Sequence, residues 1–180
     1  IPIVVSNMTA VAGRRMAETV ARRGGLVVLP QDIPLDIIET VVRHVKTRHP
    51  IFETPITLAP EDTLGEAISL IHKRAHGAVI VVDTENRPLG VFTEHDAAGF
   101  DRFTQLKNVM NLDMVCFQDN QSVSEIHDVL VEQRLSFAPV IDANGVLVGA
   151  VTRKGALRST IYKPALNADG EFLTSVAVGI

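Results

Sequence analysis

The sequence predicts an α/β fold built from two tandem β-α-β-β-α repeats, with pieces of a parallel α/β structure on either side. Residues 56–98 (copy one) align without gaps on residues 115–157 (copy two), at an offset of 59. Both copies place short apolar runs and a helical apolar periodicity in the same order. Residues 1–30 have the strand–helix–strand pattern that is typical of a parallel βαβ unit.

Each copy begins with a short strand, a capping box and an amphipathic helix. In a capping box, a hydroxyl at the helix start and a glutamate three residues later each satisfy a free backbone N–H. Thr63 with Glu66 and Ser122 with Glu125 fit this pattern, and we interpret both boxes as structural. Strands are predicted at 56–58 and 115–117, and apolar residues at helical spacing follow: Leu64, Ala67, Ile68, Ile71 and Ala75, then Val123, Ile126, Val129 and Leu130.

A β-hairpin and a closing helix complete each copy. The pair Asn144-Gly145 between two apolar runs predicts a type I′ turn. A helix is predicted to begin after a threonine that both copies share, Thr93 in copy one and Thr152 in copy two. The hairpin strands are predicted at 78–82 with 89–92 and at 138–141 with 146–151.

The flanking segments have the apolar pattern of parallel α/β elements. Gly24-Gly25 is expected to end the first helix, because glycine favours a helix C-terminus. The predicted elements are strands at 3–5, 26–29 and 173–180, the last two buried, and helices at 12–23 and 35–47.

The composition predicts a globular, cytoplasmic protein. Hydrophobic residues make up 46% and charged residues 21% of the 180 residues, and the net charge is −4. Basic and acidic residues are interspersed, so we expect no nucleic-acid partner. No apolar run reaches the roughly 18 residues of a membrane span, and the first residues lack the basic segment of a signal peptide. Ile1 resembles the inside of a strand, so we expect a segment of a longer protein.

The cysteine and histidine residues predict neither a metal site nor a nucleophile. One cysteine, Cys116, excludes a disulfide or a cysteine zinc site within the chain and fits a reducing compartment. We interpret it as a small hydrophobe in the first strand of copy two. His72 and His76 share a helix face, but Lys73 stands where a zinc-protease helix needs glutamate, so we interpret the pair as solvated.

The hairpins and closing segments resemble the CBS motif. Residues 138–142 form a PVxD-like strand, and residues 90–96 end in the pattern Gly-x-x-Thr-x-x-Asp. Two such motifs in tandem resemble a Bateman module, which implies clefts between the copies that bind adenosine-type nucleotides. There, Thr93 beside free helix N–H groups would contact phosphate, and Asp96 would accept the ribose hydroxyls. The alternative is that these two residues only cap the helix.

Copy two departs from this motif. It keeps Thr152, but Gly155 stands where the motif has its aspartate. Arg153 and Lys154 beside it could bind phosphates or form a solvated charge pair, so this cleft is either empty or holds its ligand through phosphates. The resemblance also implies pockets for the nucleotide base, and core packing is the alternative for the residues in them. The candidate nucleotide contacts of both copies are Thr57, Val79, Thr93, His95, Asp96, Cys116, Phe137, Ala138, Thr152, Arg153 and Lys154.

The flanking motifs, taken in order, resemble the IMP dehydrogenase/GMP reductase family. The matching segments are residues 1–8, 21–26, 42–46 and 175–179. The resemblance implies a (β/α)8 TIM barrel whose chain leaves after the second strand, forms the CBS pair and returns to the third strand. The implied domains are barrel at 1–50, CBS motif 1 at 51–110, CBS motif 2 at 111–162, and a return loop with a barrel strand at 163–180.

The same resemblance carries expectations about the parent protein. It implies that Ser6 and Met8 lie near a purine nucleotide substrate, the alternative being a turn residue and core filler. It also implies an NAD(P) cofactor and a homo-oligomer, a tetramer or octamer. Residues 9–11 and 30–32 depart from the dehydrogenase pattern and resemble the actinobacterial, GMP-reductase-type group. The family's cysteine loop follows the sixth barrel strand, so we expect no catalytic residue here and no activity from this segment alone.

We therefore expect a regulatory CBS pair that binds ATP- or GTP-type purine nucleotides and controls the catalytic barrel of a purine nucleotide oxidoreductase. The alternative is a CBS pair without a nucleotide ligand that mediates oligomerisation. The identity of the nucleotide, the sign of its effect and the direction of the redox reaction stay open.

Overall fold

The computed structural model describes residues 3–73 and 76–179, which form two compact units. Unit 1 consists of Ile1–Ile51 and Leu157–Ile180, and unit 2 consists of Phe52–Ala156. Among the described residues, no helix is long and apolar enough to cross a membrane. The elements are β1 (Val4–Val5), α1 (Arg14–Ala21), β2 (Leu26–Leu29), α2 (Leu35–Lys46), β3 (Ile56–Leu58), α3 (Leu64–Ile71), β4 (Ala78–Val82), β5 (Pro88–Thr93), β6 (Phe117–Gln118), α4 (Val123–Glu132), β7 (Phe137–Ile141), β8 (Leu147–Thr152), α5 (Arg153–Ile161) and β9 (Ser175–Val176).

Unit 1 contains a parallel sheet with strand order β1-β2-β9. The strands are in parallel register, with Val4 opposite Leu26 and Val28 opposite Ser175. Helices α1 and α2 share one hydrophobic cluster with β2 and Phe172. Glu18 of α1 is fully buried there, within ion-pair distance of Arg22 and His44. The predicted βαβ pattern is confirmed.

The predicted buried strand at 173–180 is wrong in extent and in burial. Only Ser175 and Val176 form a strand, and Val178 is 86% exposed. Within the described part of the chain β9 pairs with β2 alone, so one of its edges has no strand beside it. Burial of a parallel strand requires helices over the faces of its sheet, and the cluster formed by α1 and α2 includes residues of β2 but neither residue of β9.

Unit 2 contains two equivalent three-stranded sheets, β3-β4-β5 and β6-β7-β8. In each sheet the first strand is parallel to the second, and the second is antiparallel to the third. The registers also repeat at an offset of 59, because Val79 faces Phe92 and Ala138 faces Val151. The predicted tandem repeat is therefore confirmed down to individual residue pairs.

Both hairpins turn in the same way, and the predicted type I′ turn is wrong. A type I′ turn needs positive φ at both central residues, whereas Gly145 has a φ of 80° and Asn144 is not in that region. Asp142 shapes the loop instead, because its Oδ1 accepts hydrogen bonds from the N–H groups of Asn144 and Val146, at 2.8 and 2.9 Å. Asp83 Oδ1 does the same in copy one.

The two copies differ in their capping boxes and in their closing helices. In copy one, Thr63 N–H donates to Glu66 at 2.9 Å, as predicted, but in copy two the side chain of Ser122 makes no cap hydrogen bond. The closing helix of copy one is only a four-residue 3₁₀ turn at Glu94–Ala97, whereas α5 in copy two has nine residues. The closing turn of copy one ends at Ala97, because the backbone of Ala98 is extended and Gly99 has a φ of 85°.

The two sheets of unit 2 meet through a small shared core. Ile80 from copy one packs with Leu147 and Ala150 from copy two, and Phe137 lies at the margin of this cluster. Each copy also has a core of its own between its helix and its sheet. This arrangement leaves the ends of β5 and β8, with their threonines, beside the other copy.

Candidate ligand-binding clefts

Cleft one lies between the two copies in unit 2. Thr93 and Asp96 of copy one line it together with Val115, Ser136 and Phe137 of copy two. Its volume is about 240 Å³, just below the roughly 300–1,000 Å³ that is typical of small-molecule sites. A cleft of this size can enclose part of a nucleotide and leave the remainder in solvent.

Asp96 is held in place by the threonine that precedes it. Its Oδ2 accepts hydrogen bonds from the Thr93 backbone N–H at 2.7 Å and from Thr93 Oγ1 at 2.8 Å. Both residues are half-buried, and Oδ1 accepts no hydrogen bond from the described residues. The capping interaction therefore occupies one carboxylate oxygen and leaves the other for a ligand, so the structural and ligand-binding interpretations of Thr93 and Asp96 are compatible.

The anion site expected at a helix start after Thr93 is not present in the predicted form. A four-residue 3₁₀ turn follows Thr93, and such a short element has little of the aligned peptide dipole that attracts phosphate to a helix terminus. The side chain of His95, the next candidate, is exposed and does not line cleft one. The chemistry of this cleft therefore depends on the Asp96 carboxylate more than on backbone amides.

Four further polar residues line cleft one, and none of them was a candidate from sequence. They are Asn111 and Asp113, before β6, and Arg134 and Ser136, before β7. Arg134 is exposed, with a φ of 56°, in the tight turn that ends α4. The repeat contains no signal for these residues, because the turn after the repeat's helix differs in sequence between the copies.

Two of the predicted base-pocket residues are core residues. Val79 is fully buried against α3 and Phe92, and Ala138 is 1% exposed against α4. Both side chains belong to the inner faces of their sheets, since side chains alternate along a strand. Their burial fits the core-packing alternative, and a contact between their backbone and a base stays a prediction. Phe137, one residue from Ala138, has the opposite orientation and lines cleft one.

The remaining predicted base contacts, Thr57 and Cys116, do not line cleft one. Thr57 is exposed in β3. Cys116 is half-buried and precedes β6 instead of lying within it. Partial burial raises the pKa of its thiol above the ordinary value, which favours the neutral form and agrees with a cysteine that is not a nucleophile.

The equivalent position in copy two is built differently. Thr152 Oγ1 accepts a hydrogen bond from the N–H of Gly155 at 2.9 Å, in the first turn of α5. Arg153 and Lys154 are exposed beside it. A side chain at position 155 would lie 2.8 Å from the carboxylate of Glu53, because an ideal Cβ there is at that distance from Oε1.

His76 lies near Glu53, and the prediction that its side chain is solvated is wrong. Helix α3 ends at Ile71, and the His76 side chain is only 2% exposed. Its ring stacks on Phe137 with a centroid distance of 5.0 Å. Neither Glu53 nor His76 was a candidate from sequence, because the capping pattern and the repeat offset give no signal for them.

In unit 1, Ser6 and Met8 are exposed in the loop that follows β1. The loops after β1 and β2 meet there, since Thr9 Oγ1 donates a hydrogen bond to Asp32 Oδ2 at 2.9 Å. Parallel strands place their carboxyl ends at one edge, which is where parallel α/β folds bind ligands. In the part of the chain that the structure describes, no group of three or more metal-ligating side chains forms a metal centre.

Comparison with known families accounts for the repeat. The CBS domain model matches the chain twice, over residues 42–101 and 106–161. The chain belongs to the CBS domain family. A GMP reductase of Mycobacterium tuberculosis is 47% identical over 180 residues, which cover the whole chain and 37% of that protein. An inosine-5′-monophosphate dehydrogenase of Methanocaldococcus jannaschii is 30% identical over 182 residues, which cover 99% of the chain and 37% of that protein.

Solved structures show the same likeness. A GMP reductase from Trypanosoma brucei in complex with guanosine 5′-triphosphate matches with a TM-score of 0.69 and 28% identity, covering 100% of this chain and 45% of that one. The predicted resemblance of this CBS pair to the IMP dehydrogenase/GMP reductase family is thus confirmed along the whole chain. The chain spans somewhat more than a third of the length of the curated relatives.

Proposed function

We propose that this CBS pair binds a purine nucleotide in cleft one and regulates the catalytic barrel of a GMP-reductase-type oxidoreductase. The observation that carries the proposal is the convergence of Thr93 and Asp96 from one copy with Phe137 from the other. A ribose-binding carboxylate and an aromatic face in one cleft are complementary to a nucleoside. Neither copy provides both groups alone.

The contacts suggest how a nucleotide would lie. The carboxylate oxygen of Asp96 that Thr93 does not occupy would accept hydrogen bonds from the ribose hydroxyls, as acidic side chains do in other nucleotide folds. Phe137 would contact the base, and Arg134 at the margin would face the phosphates. The relatives support a purine, since a GMP reductase that shares this fold has been solved in complex with guanosine 5′-triphosphate.

The proposal for the parent protein rests on unit 1. Its three parallel strands lie in chain order, β1-β2-β9, as expected if the CBS pair interrupts a (β/α)8 barrel between the second and third strands. The domains would then be barrel at 1–50 and 163–180, with the CBS motifs at 51–110 and 111–162. The relatives include a GMP reductase and an IMP dehydrogenase, which supports an NAD(P)-dependent parent. The proposal that the parent is a homo-oligomer with Ser6 and Met8 near its purine substrate rests on the resemblance of the flanking motifs alone.

Calorimetric titration of the full-length protein with ATP, GTP, AMP and NAD is the direct test. We expect saturable binding of at least one purine nucleotide, and competition between those that share cleft one. No heat with any of the four up to millimolar concentration would contradict the proposal and favour a CBS pair that acts only in oligomerisation. The 180-residue chain alone is expected to convert neither IMP with NAD nor GMP with NADPH, because the family's cysteine loop lies elsewhere.

A further inference from the structure

A hydrogen bond in unit 1 joins the two segments that depart from the dehydrogenase pattern. Residues 9–11 follow β1, and residues 30–32 follow β2. Thr9 Oγ1 donates to Asp32 Oδ2 at 2.9 Å, although the two residues are 23 positions apart in the chain. Because the two departures meet in the fold as a donor and an acceptor, they form one feature of this chain.

The loop after β1, residues 6–12 (the β1 loop), is held at both ends and in its middle. The Met8 carbonyl accepts hydrogen bonds from the N–H groups of Val11 and Ala12, at 2.9 and 2.8 Å, which makes a compact turn. Ala12 is 1% exposed and belongs to the hydrophobic cluster of unit 1, and β1 fixes the other end. Since Thr9 directly follows Met8, its hydrogen bond to Asp32 fixes the exposed part of the turn that presents Met8.

The segment after β2 is a firm attachment point for the β1 loop. Pro30 is buried and Ile33 packs on the hydrophobic cluster, so Asp32 lies between two packed residues. On the other side of the segment, the Gln31 side chain lies beside Gly179, which follows β9, because an ideal Cβ there would be 3.2 Å from Gln31 Oε1. The segment therefore contacts the chain that follows both neighbouring strands.

These contacts lie at the carboxyl ends of three parallel strands, the edge at which parallel α/β folds bind ligands. The β1 loop presents Ser6 and Met8 there, both exposed. A loop that must become ordered when its ligand binds lowers the affinity, so a loop that is already held binds more tightly. A carboxylate is a stronger hydrogen-bond acceptor than a neutral group, which suits Asp32 to this task.

We infer that Thr9 and Asp32 are positioning residues for the nucleotide substrate, because their hydrogen bond holds the β1 loop in its binding arrangement before the substrate arrives. Neither side chain touches the substrate in this role. The inference rests on the proposed function, since it requires that Met8 contacts a purine nucleotide. It goes further by assigning a role to the pair of residues at which this chain departs from the dehydrogenase pattern.

The test measures steady-state kinetics of the full-length protein with GMP and NADPH and with IMP and NAD. Thr9→Val keeps the shape of the side chain and removes the donor. It should raise KM for the converted nucleotide about tenfold and change kcat little, because uniform binding is lost. Thr9→Ser keeps the hydroxyl and should recover most of the affinity. Asp32→Asn keeps an acceptor oxygen and should raise KM less than Asp32→Ala.

Exchanging the two side chains separates positioning from direct contact with the substrate. Thr9→Asp alone places a second carboxylate against Asp32 and should raise KM, since like charges repel. Asp32→Thr alone removes the charged acceptor and should also raise KM. The double variant Thr9→Asp/Asp32→Thr restores a hydroxyl–carboxylate pair with the groups reversed and should recover most of the affinity. A pair that acts only by positioning does not depend on which side carries the charge.

Thr47→Val is the matched control. Thr47 Oγ1 also makes a hydrogen bond at the protein surface, to the Arg43 carbonyl at 3.1 Å. It lies at the C-terminal end of α2, about 18 Å along the helix from the start that follows Asp32, so KM should not change. Melting temperatures close to that of the unmodified protein show that the variants are folded.

Two results would overturn the inference and leave the proposed function intact. The first is an unchanged KM for Thr9→Val and Asp32→Ala in a protein in which Met8→Ala raises KM. The second is a double exchange that stays as impaired as the single variants, which would show that the Asp32 carboxylate acts directly. If the full-length protein converts neither nucleotide, or Met8→Ala leaves KM unchanged, the proposed function fails first and this inference fails with it.

Discussion

Replacing Asp96 with alanine should affect stability and ligand binding by separate amounts. Oδ2 accepts two hydrogen bonds from Thr93, at 2.7 and 2.8 Å, and loss of such a cap costs about 0.5–2 kcal/mol. For a unit of about 100 residues, each kcal/mol lowers the melting temperature by roughly 4–8 °C. The other oxygen would bind the ribose, and losing a charged hydrogen bond costs about 1.5–3 kcal/mol, or roughly 10- to 150-fold in Kd.

Copy one itself contains a matched control. Glu66 caps α3 with the same geometry, since it accepts hydrogen bonds from the N–H and Oγ1 of Thr63, both at 2.9 Å. Those hydrogen bonds lower the pKa of Glu66, but its carboxylate is away from cleft one. Glu66→Ala should therefore lower the melting temperature and leave the affinity for nucleotide unchanged.

Thermal unfolding and calorimetric titration of both variants decide between the two interpretations of Asp96. The ligand-binding interpretation requires that only Asp96→Ala raises Kd. If Asp96→Ala lowers the melting temperature and binds nucleotide like the unmodified protein, then Asp96 is a capping residue and the ribose lies elsewhere. If both variants lose affinity in proportion to their loss of stability, the effect on binding is indirect.

Three other predictions follow from the geometry. The hydrogen bond from the Val146 N–H lowers the pKa of Asp142 below its ordinary value of 3.8. The stabilisation by the Asp142 carboxylate is therefore present above about pH 5 and is lost as the pH falls through the lowered pKa. The urea unfolding midpoints of the unmodified protein and Asp142→Asn should converge in that acid range. Gly149→Ala should destabilise unit 2 by about 1–3 kcal/mol, measured by urea unfolding, because its Cβ would be 2.7 Å from Phe52 Cβ. Deleting residues 52–156 should leave the parent's activity insensitive to ATP and GTP, removing a coupling of about 1–3 kcal/mol.

Each of these has an outcome that would contradict it. A constant difference between the urea midpoints of the protein and Asp142→Asn across the acid range would contradict the role of the Asp142 charge. Gly13→Ala should be tolerated, since no atom lies within 4 Å of its added Cβ, and equal stability of Gly149→Ala would mean that the segment before β3 can shift. An undiminished ATP or GTP response after the deletion would place the effector site outside unit 2.

The repeat made most of unit 2 predictable. Once residues 56–98 are aligned on 115–157, each strand has two independent indications, and the observed registers repeat at the same offset. The sequence was less informative where tertiary contacts decide the outcome. Serine is a favoured residue type for a helix N-cap, but the side chain of Ser122 makes no cap hydrogen bond. The Asn144-Gly145 turn is shaped by hydrogen bonds to the Asp142 side chain and does not have type I′ geometry.

The candidate cleft was predictable only in part, for the same reason. Thr93 and Asp96 carry a motif, and the resemblance to the CBS motif indicated Phe137, but it indicated Ala138 equally, whose side chain faces the core. An uninterrupted run of apolar residues indicates that a strand is buried on both faces, but it does not indicate which face contacts a ligand. Glu53 lies before the aligned residues and reaches position 155 only through the folded chain.

The two clefts share an architecture and differ in charge. After the common threonine, copy one has Glu94 and Asp96, both negative, whereas copy two has Arg153 and Lys154, with Glu53 as the nearby acid. Copy one therefore has two negative charges where copy two has a net positive charge of one. Since these groups are partly exposed, salt weakens the difference without reversing its sign. A phosphate group should therefore be more favoured beside Thr152 than beside Thr93.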